Sequence, residues 1–359
     1  MIYLDNQATT PLAPEAKEAM LRWLSGPEAM GFANPHSAHP AGRAAMAAIE
    51  VAREQVAALL PPGGRVIFTS GATEAINQAI LSVPRSGIAF SAIEHSAVIE
   101  AARASGAPLQ ELPVDAAGLV DPEVQFAEDI GLVSVMQVNN EIGTIQPVAR
   151  LAERAHAHGA LFLCDAVQGA GKLAPPEGAD LIAVTAHKLY GPKGIGALWV
   201  RDGVEIGPFM HGGGQEGGLR SGTLSPALCA GFGAAAALAK ARMETDFQHL
   251  QGLAAAARTA LAGWTLNGSE VSRWPGNLNL RLDGLDVPRL MSDLRGIYFS
   301  AGSACGSGTG KPSRVLKAIG LADRAAKSSV RLGFGRYTTI QEVEDACARI
   351  AAAAVAQGE

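Results

Sequence analysis

The stretch at residues 180–194 reads Asp-Leu-Ile-Ala-Val-Thr-Ala-His-Lys-Leu-Tyr-Gly-Pro-Lys-Gly, and the rest of the chain is best understood from it. Its first five residues are mostly apolar and partly β-branched, which predicts a short buried strand. Lys188 follows that strand beside Thr185 and His187, and a stiff Gly-Pro turn limits its movement. A lysine that is positioned and removed from water can lose its proton near neutrality and form a Schiff base with an aldehyde cofactor. Since most lysines are solvated surface charges, Lys188 alone does not decide the chemistry.

Length and composition favour a globular protein that handles small molecules. The 359 residues suggest about two domains, with 48% hydrophobic and 18% charged residues and a formal net charge of −5. That charge offers no basic surface for nucleic acid or an anionic membrane, and no apolar run is long enough to cross a bilayer. The cysteines form no CxxC pair, so neither a disulfide framework nor a metal site is predicted. We therefore expect a cytoplasmic protein without targeting signal, membrane segment or metal.

Strand and helix signals alternate over the first two thirds of the chain. Predicted strands lie at 65–69, 87–91, 131–138, 160–164, 180–184 and 195–200. Predicted helices lie at 39–60, 73–82, 96–105 and 147–158. This alternation predicts an α/β fold whose mainly parallel sheet is covered by helices on both faces.

In the last third of the chain the predicted elements are mostly shorter, and they do not alternate regularly between strand and helix. An alanine-rich helix over 226–262, continuous or broken, suits a connection between domains. Beyond it, strands are predicted near 277–282, 297–300 and 328–334, and helices near 287–294, 312–320 and 340–356. Thr339 and Glu342 form a capping box for the last helix. We expect a large domain at 14–249, and a smaller α+β domain made of 1–13 and 250–359.

The turn at residues 69–74 passes from a predicted strand straight into a helix. Backbone N–H groups and the positive end of the helix dipole at such a junction bind phosphate. For this motif alone, an N-cap with a tight turn is the more common meaning.

Polar residues follow several of the predicted strands. Asp165 comes directly after strand 160–164, at the end where open α/β sheets bind ligands. A carboxylate buried there needs a cation, and a protonated pyridine nitrogen would be one that makes the cofactor an electron sink. Gln168 can then hydrogen-bond a ring oxygen. His95 and Asn140 follow two other strands, so several polar groups can point at one crevice.

Two residues of the predicted small domain also stand out. Cys305 lies in the run 300–310, which is almost wholly glycine, serine, alanine and threonine and is typical of a mobile loop. An exposed thiol on such a loop inside the cell favours a use for it over an incidental cysteine. Arg331 interrupts an apolar strand, where its planar cation can hold a substrate carboxylate through two hydrogen bonds or form a structural ion pair.

Together these residues resemble the cysteine desulfurases, pyridoxal phosphate (PLP) enzymes of fold type I in the class V aminotransferase group. Matching motifs run in order along nearly the whole chain. They are Tyr3-Leu4-Asp5-Asn6, Ala8-Thr9-Thr10-Pro11, Asn34-Pro35, Ser70-Gly71-Ala72-Thr73-Glu74, Asn139-Asn140-Glu141-Ile142-Gly143, Asp165-Ala166, His187-Lys188, Gly191-Pro192-Lys193-Gly194, His211-Gly212-Gly213-Gly214, Arg220-Ser221-Gly222-Thr223 and Gly302-Ser303-Ala304-Cys305.

The resemblance implies a role for each matching position. Lys188 would bind PLP covalently, and Cys305 would be the nucleophile that takes sulfur as a persulfide, while His95 stacks on the ring and handles protons. The residues implied for the cofactor are Ala72, Thr73, His95, Asn140, Asp165, Gln168, Thr185, His187, Lys188 and, from the second subunit of a homodimer, Thr223. Those implied for the carboxylate of the amino-acid substrate are Asn34 and Arg331.

The implied reaction is the PLP-dependent conversion of L-cysteine to L-alanine, with the persulfide sulfur passed to an acceptor protein. An iron–sulfur scaffold or a tRNA-thiolation carrier are the acceptors considered, and the chain stops soon after 340–356, where housekeeping members carry a further tail that helps dock the scaffold. Departures from the pattern occur at Gln7, Ala33, Thr185-Ala186 and Gly217. The alternatives are a selenocysteine lyase or another class V aminotransferase or lyase, and Cys305 favours desulfuration because transamination needs no thiol.

Overall fold

The computed structural model describes residues 1–26, 28–82, 87–301 and 312–357. Cys305 therefore lies outside the described residues. In the described part, the strands are β1 (Ile2–Tyr3), β2 (Gly64–Thr69), β3 (Gly87–Ser91), β4 (Leu109–Leu112), β5 (Ile130–Ser134), β6 (Leu161–Asp165), β7 (Leu181–Thr185), β8 (Gly196–Arg201), β9 (Thr265–Leu266), β10 (Asn277–Arg281), β11 (Ile297–Tyr298), β12 (Ser300–Ala301) and β13 (Ser329–Gly333). The α-helices are α1 (Pro14–Leu21), α2 (Pro40–Ala57), α3 (Ala72–Ser82), α4 (Ser96–Ala104), α5 (Val148–His158), α6 (Pro226–Ala260), α7 (Val287–Asp293), α8 (Arg314–Ala318), α9 (Asp323–Lys327) and α10 (Ile340–Val355).

A seven-stranded sheet in the order β2-β8-β7-β6-β5-β3-β4 positions the site. Only β8 runs antiparallel to its neighbours in this sheet. Since β2 and β7 both run opposite to β8, they share the direction of β6, β5 and β3. The carboxyl ends of these five strands consequently meet at one edge of the sheet.

Helices cover both faces of this sheet. On one face, α2, α5 and α6 pack against buried residues such as Phe162 and Trp199. On the other, α3 and α4 pack against residues such as Ile88 and Leu198. Because both faces are buried, the central strands are apolar throughout, which is why their sequences show short continuous apolar runs rather than alternation. The predicted fold class is confirmed.

A second hydrophobic core lies around a smaller antiparallel sheet in the order β12-β13-β10-β9. Leu278, Leu332 and Ile350 belong to this core, together with Leu253 from the second half of α6. The N-terminal strand β1 pairs in parallel with β11 beside it. A separate core of this kind supports the division between residues 249 and 250, which stays a prediction.

Several predicted elements differ in detail from the structure. The predicted strand 131–138 ends at Ser134, because the chain then turns irregularly while Val135 and Gln137 still donate to the backbone of β6. The predicted strand 297–300 is two short strands, β11 and β12, which join different sheets. Helices α1 and α9 and the edge strand β4 were not predicted, since their short, partly exposed sequences carry little periodicity.

Candidate active site

Lys188 is fixed by the N-terminal segment of the chain. It closes a short 3₁₀ turn, Ala186–Lys188, that follows β7 directly. Its Nζ donates hydrogen bonds to the carbonyl oxygens of Gln7 and Ala8, the latter at 2.7 Å. Thr10 donates to the His187 carbonyl from both its backbone N–H, at 2.9 Å, and its hydroxyl, at 3.0 Å. A segment far away in sequence thus sets the direction of the lysine.

The backbone just after Lys188 takes a conformation that needs support. Tyr190 has φ of +69°, in the left-handed region that a bulky residue adopts only at a cost of about 1–2 kcal/mol. Its N–H donates to Thr10 Oγ1 at 2.8 Å, and its hydroxyl accepts from the N–H of Arg336. The Arg336 guanidinium also lies 4.3 Å from the centre of the Tyr190 ring. These contacts hold the turn after the lysine in one shape.

The N-terminus of α3 forms the anion-binding end of the site. Glu74 stabilises its first turn by accepting from the Ser70 N–H at 2.7 Å and by pairing with Arg220 at 2.7 Å. Strand β8 passes directly behind this turn, where a Cβ on Gly196 would lie 2.7 Å from backbone atoms of Gly71. Only glycine fits at position 196, and Ala72 and Thr73 at the start of α3 line a cavity, where a helix N-terminus can bind an anion.

His187 faces the same end of the cavity as a neutral ring. Burial and the cations Lys188 and Lys193 lower its pKa to about 4. Its Nδ1 lies 3.1 Å from Thr9 Oγ1. At neutral pH it therefore offers hydrogen bonds without adding a positive charge.

Asp165 supplies a buried acid at the end of β6, where it is 5% exposed. Its Oδ1 accepts from the N–H of Val167 at 2.9 Å. Burial raises the pKa of Asp165, whereas His95 and Lys188 oppose that rise. A cation placed against this carboxyl would hold it ionised.

His95 is the N-cap of α4 and lines the same cavity. Its Nδ1 accepts from the backbone N–H of Ala97 at 3.1 Å, so the neutral ring carries its proton on Nε2. In this state His95 donates a proton rather than accepting one at Nε2.

Glu94 is a second buried acid, beside Asp165. Its Oε1 accepts from the N–H of Met136 at 2.7 Å, and within the described part of the chain its Oε2 has no hydrogen-bond partner. Burial and the nearby Asp165 raise the pKa of Glu94 well above its usual range. Burial thus disfavours the charged form of Glu94, and of these two acids it is Asp165 that lines the cavity.

Gln168 and Asn140 also line the cavity. The Gln168 side-chain amide donates to the carbonyl oxygen of Gln7 at 2.9 Å and accepts from Lys172 Nζ at 3.5 Å. The carbonyl oxygen of Asn140 accepts from Asn277 Nδ2 at 3.0 Å. Both residues thus connect the cavity wall to neighbouring loops.

Arg331 reaches the cavity from β13 of the smaller sheet. Although it is 1% exposed, its guanidinium donates to Asp5 Oδ1 at 2.7 Å and to the carbonyl oxygen of Asn140 at 3.1 Å. The structural ion pair considered from the sequence is therefore present. Among the described residues, Arg331 Nε has no partner, so the same side chain can still bind a ligand carboxylate.

One cavity of about 400 Å³ brings together ten of the residues singled out from the sequence. These are Ala72, Thr73, His95, Asn140, Asp165, Gln168, Thr185, His187, Lys188 and Arg331. Asn34 and Thr223 do not line it, since both are exposed elsewhere, and Asn34 Oδ1 accepts from the His36 N–H at 2.9 Å. Sequence reasoning missed Gln7, Ala8 and Lys193, although the first two lie in the N-terminal motif and the third in the Gly-Pro turn.

These groups fit PLP by their chemistry. The N-terminus of α3 suits a phosphate, Lys188 suits an aldehyde, and the buried Asp165 requires a cation such as a pyridinium nitrogen. Among the described residues that line the cavity, Asp165 alone combines a buried carboxylate with a strand end.

Comparison with known proteins agrees with this assignment of the cavity residues. The model of the class-V aminotransferase family matches residues 2–345. A mitochondrial cysteine desulfurase of Saccharomyces cerevisiae is 42% identical over 96% of this chain and 73% of its own length. The chain belongs to the cysteine desulfurase family. Another cysteine desulfurase, IscS of Rickettsia bellii, is 40% identical over 96% of this chain and 88% of its own length.

Two solved structures share the fold over almost the whole chain. A NifS-like protein from Rickettsia africae superposes with a TM-score of 0.89 at 28% identity, covering 98% of this chain and 99% of that one. The structure described as SspA in complex with cysteine has a TM-score of 0.81 at 31% identity, covering 94% and 100% of the two chains. The predicted family, the enzyme class and the PLP cofactor are confirmed by these comparisons.

Proposed function

We propose that the protein converts L-cysteine to L-alanine and takes the released sulfur as a persulfide on Cys305. The balanced reaction joins L-cysteine and the Cys305 thiol to give L-alanine and a Cys305 persulfide. The C–S bond of the substrate breaks, its carbon takes the electron pair and a proton, and the Cys305 sulfur is oxidised as the S–S bond forms. Transfer of that sulfur to an acceptor protein restores the thiol.

The observation that supports this reaction best is the meeting of two sheets at one cavity. Lys188 and Asp165 come from the seven-stranded sheet, and Arg331 comes from the smaller one. In sequence, Cys305 lies between β12, which pairs with β13 at Arg331, and α8, whose N-cap Ser313 donates to Glu141, the residue after Asn140. The relatives reported above are named cysteine desulfurases, which favours cysteine over the alternative substrates.

The side chains divide the chemical work. When bound, PLP withdraws electrons from the substrate Cα and stabilises negative charge there. Asp165 stabilises the positive charge of a protonated pyridine nitrogen. Lys188 accepts the Cα proton, and Arg331 binds the substrate carboxylate. His95 can donate the proton carried on its Nε2. Cys305 attacks as the thiolate, the form in which a thiol is nucleophilic.

Replacing the nucleophile tests this proposal. Cys305→Ser should retain PLP on Lys188 and bind cysteine, yet form no persulfide and lose alanine production by about a thousandfold. Alanine release and mass spectrometry of the Cys305 peptide provide the measurements. Alanine production by Cys305→Ser at the wild-type rate would instead indicate a lyase or aminotransferase that needs no thiol.

The proposal includes a homodimer, because Thr223 is exposed and outside its own cavity while the resemblance assigns it to the phosphate of a second subunit. Mass in solution should give twice the chain mass of 36.9 kDa. Mixed dimers of Lys188→Ala and Thr223→Ala chains should regain activity at one intact site. A monomer with full activity would contradict the shared site.

The acceptor is proposed only as a protein that receives sulfur, such as an iron–sulfur scaffold or a tRNA-thiolation carrier. Label transfer from the persulfidated enzyme to each candidate would identify it. Among the described helices, none is long and apolar enough to cross a membrane. A cytoplasmic location stays a prediction, since the relatives reported above include a mitochondrial protein.

A further inference from the structure

Glu141 is a buried acid next to the cavity that the proposed reaction does not use. It follows Asn140, is 8% exposed, and its carboxyl Oε2 accepts a hydrogen bond from the Ser313 hydroxyl. Its backbone is fixed as well, since its N–H donates to Asn139 Oδ1 at 2.8 Å and its carbonyl accepts from Asn279 Nδ2 at 3.2 Å. Glu141 therefore joins a hydrogen-bonded turn, which follows β5 of the seven-stranded sheet, to an element of the predicted small domain.

That element is the start of α8. Ser313 is its N-cap, and Ser313 Oγ accepts from the N–H of Leu316 at 3.2 Å. Leu316 belongs to a small buried cluster with Ile93 and Ile142, which come from the loops that carry His95 and Glu141. The beginning of α8 is thus held by one polar contact and by apolar packing, both directed at the loops around the cavity.

Ser313 also lies eight residues after Cys305 in the sequence. On the other side of Cys305, Ser300 of β12 donates to Asp5 Oδ1 at 2.8 Å and accepts from Arg331 Nη2 at 3.2 Å. The described residues that flank Cys305 are consequently tied to two different groups. Arg331 holds the preceding flank and Glu141 holds the following one.

We propose that Glu141 is a positioning residue for sulfur transfer: by accepting the Ser313 hydroxyl it fixes the start of α8, the first described helix after Cys305. This inference rests on the proposed role of Cys305. A substitution of Arg331 would not test the segment before Cys305 alone, because Arg331 also lines the cavity in which the substrate is proposed to bind. Glu141 does not line the cavity, so its loss affects the flank without removing a ligand of substrate or cofactor.

The hydrogen-bond acceptor of Glu141 matters more for this role than its charge. Burial raises the pKa of Glu141 to about 7, while Ser313 and Arg331 oppose that rise, so both protonation states occur near neutrality. Each state retains a carboxyl oxygen that accepts from Ser313. A glutamine also retains such an oxygen, whereas an alanine has none.

The expected effect follows from the geometry of transfer. Attack by Cys305 on the substrate sulfur requires close and aligned sulfur atoms, and a displacement of about 1 Å from a distant substitution can cost about a hundredfold in rate. Substrate binding does not depend on that alignment. Loss of the Glu141 contact should therefore lower kcat and leave KM nearly unchanged.

The test compares full-length, PLP-loaded Glu141→Ala, Glu141→Gln and wild-type enzymes. In Glu141→Ala, kcat for alanine and the single-turnover rate of persulfide formation on Cys305 should fall roughly ten- to a hundredfold, with KM for cysteine within about twofold. Amide hydrogen exchange in a peptide covering residues 312–320 should be faster, a readout that does not depend on activity. Glu141→Gln should restore both properties to within about threefold.

Two further variants sharpen the test. Ser313→Ala removes the same hydrogen bond from the other side, and combining it with Glu141→Ala should lower kcat no further than the stronger single variant. Glu111→Ala is the matched control, because Glu111 pairs with Arg314 at the exposed surface of the same helix and such a pair contributes little. Its kcat should stay within twofold.

Three results would overturn the inference. They are a wild-type kcat in Glu141→Ala, a loss confined to KM, and a Glu141→Gln variant as slow as Glu141→Ala. Should Glu141→Ala fail to fold, Ser313→Ala with a wild-type kcat would overturn it as well. A wild-type enzyme that forms no persulfide on Cys305 would instead refute the proposed function itself, so the two failures are distinguishable.

Discussion

The cofactor side and the substrate side of the cavity are built in different ways. On the cofactor side, Lys188, Asp165 and His95 follow parallel strands of one sheet, so that each arrives at the same edge with the end of its strand. On the substrate side, Arg331 comes from another sheet and is held through Asp5 and Asn140, which are remote in sequence. The first side depends on strand direction, and the second depends on contact between two separately packed cores.

The largest expected effect comes from breaking the cofactor side at Asp165. Asp165→Asn keeps the shape of the side chain but removes the charge that would hold a cation. We expect alanine formation to fall by about a thousandfold or more, a loss of roughly 4 kcal/mol in transition-state stabilisation. Steady-state kinetics, with bound PLP measured by absorbance, would check this.

Glu94→Gln is the matched control, because it makes the same change in the neighbouring buried acid. Since Asp165 lines the cavity and Glu94 does not, the amide variant of Glu94 should retain kcat within about threefold. Equal losses in the two variants would mean that the cavity-lining position of Asp165 gives it no special role.

An intermediate effect is expected on the substrate side. Arg331→Lys keeps a positive charge near Asp5 but loses the planar fork that binds a carboxylate through two hydrogen bonds. KM for cysteine should rise about ten- to a hundredfold, and kcat should change less. Arg281→Lys, on the neighbouring β10, is the control, since Arg281 pairs with the largely exposed Asp283 and should leave KM unchanged. An unaltered KM in Arg331→Lys would assign that residue to the ion pair alone.

The smallest effect on activity is expected for Glu141→Gln. This substitution should instead change how the free energy of unfolding depends on pH. Burial raises the pKa of Glu141 from 4.5 to about 7, so between these values the native state binds more protons than the unfolded state. The free energy of unfolding that Glu141 contributes is therefore present below about pH 4.5 and is lost as pH rises to about 7. Over this window, the full shift corresponds to at most about 3 kcal/mol.

Chemical denaturation of wild type and Glu141→Gln from pH 4.5 to 8 would measure this contribution of Glu141 to the free energy of unfolding. The stability of wild type relative to Glu141→Gln should decline with rising pH up to about 7 and then stay level. A difference that is constant across the range would show that Glu141 titrates normally in the folded protein.

Local signals in the sequence are sufficient to predict the residues on the cofactor side of the cavity. Apolar runs that end in Asp165, His95 and the Lys188 turn predict strands whose polar ends meet, and the structure places these residues in one cavity. The position of Gln7 and Ala8 against Lys188 was not predicted, because a backbone carbonyl has no signature in sequence. Asn34 and Thr223 followed from resemblance alone, and the structure leaves both outside the cavity.

By itself, the sequence determined the fold class, the family and the identity of the groups along the sheet edge, because periodicity and strand-end chemistry are local properties of the chain. Only the tertiary structure decided that Arg331 both pairs with Asp5 and faces the cavity, that burial raises the pKa of Glu94 while Asp165 faces the cavity, and that Glu141 holds the start of α8. The physical reason is that burial and distance set the charge and the partners of these groups. Both quantities depend on the packing of segments that are far apart in sequence.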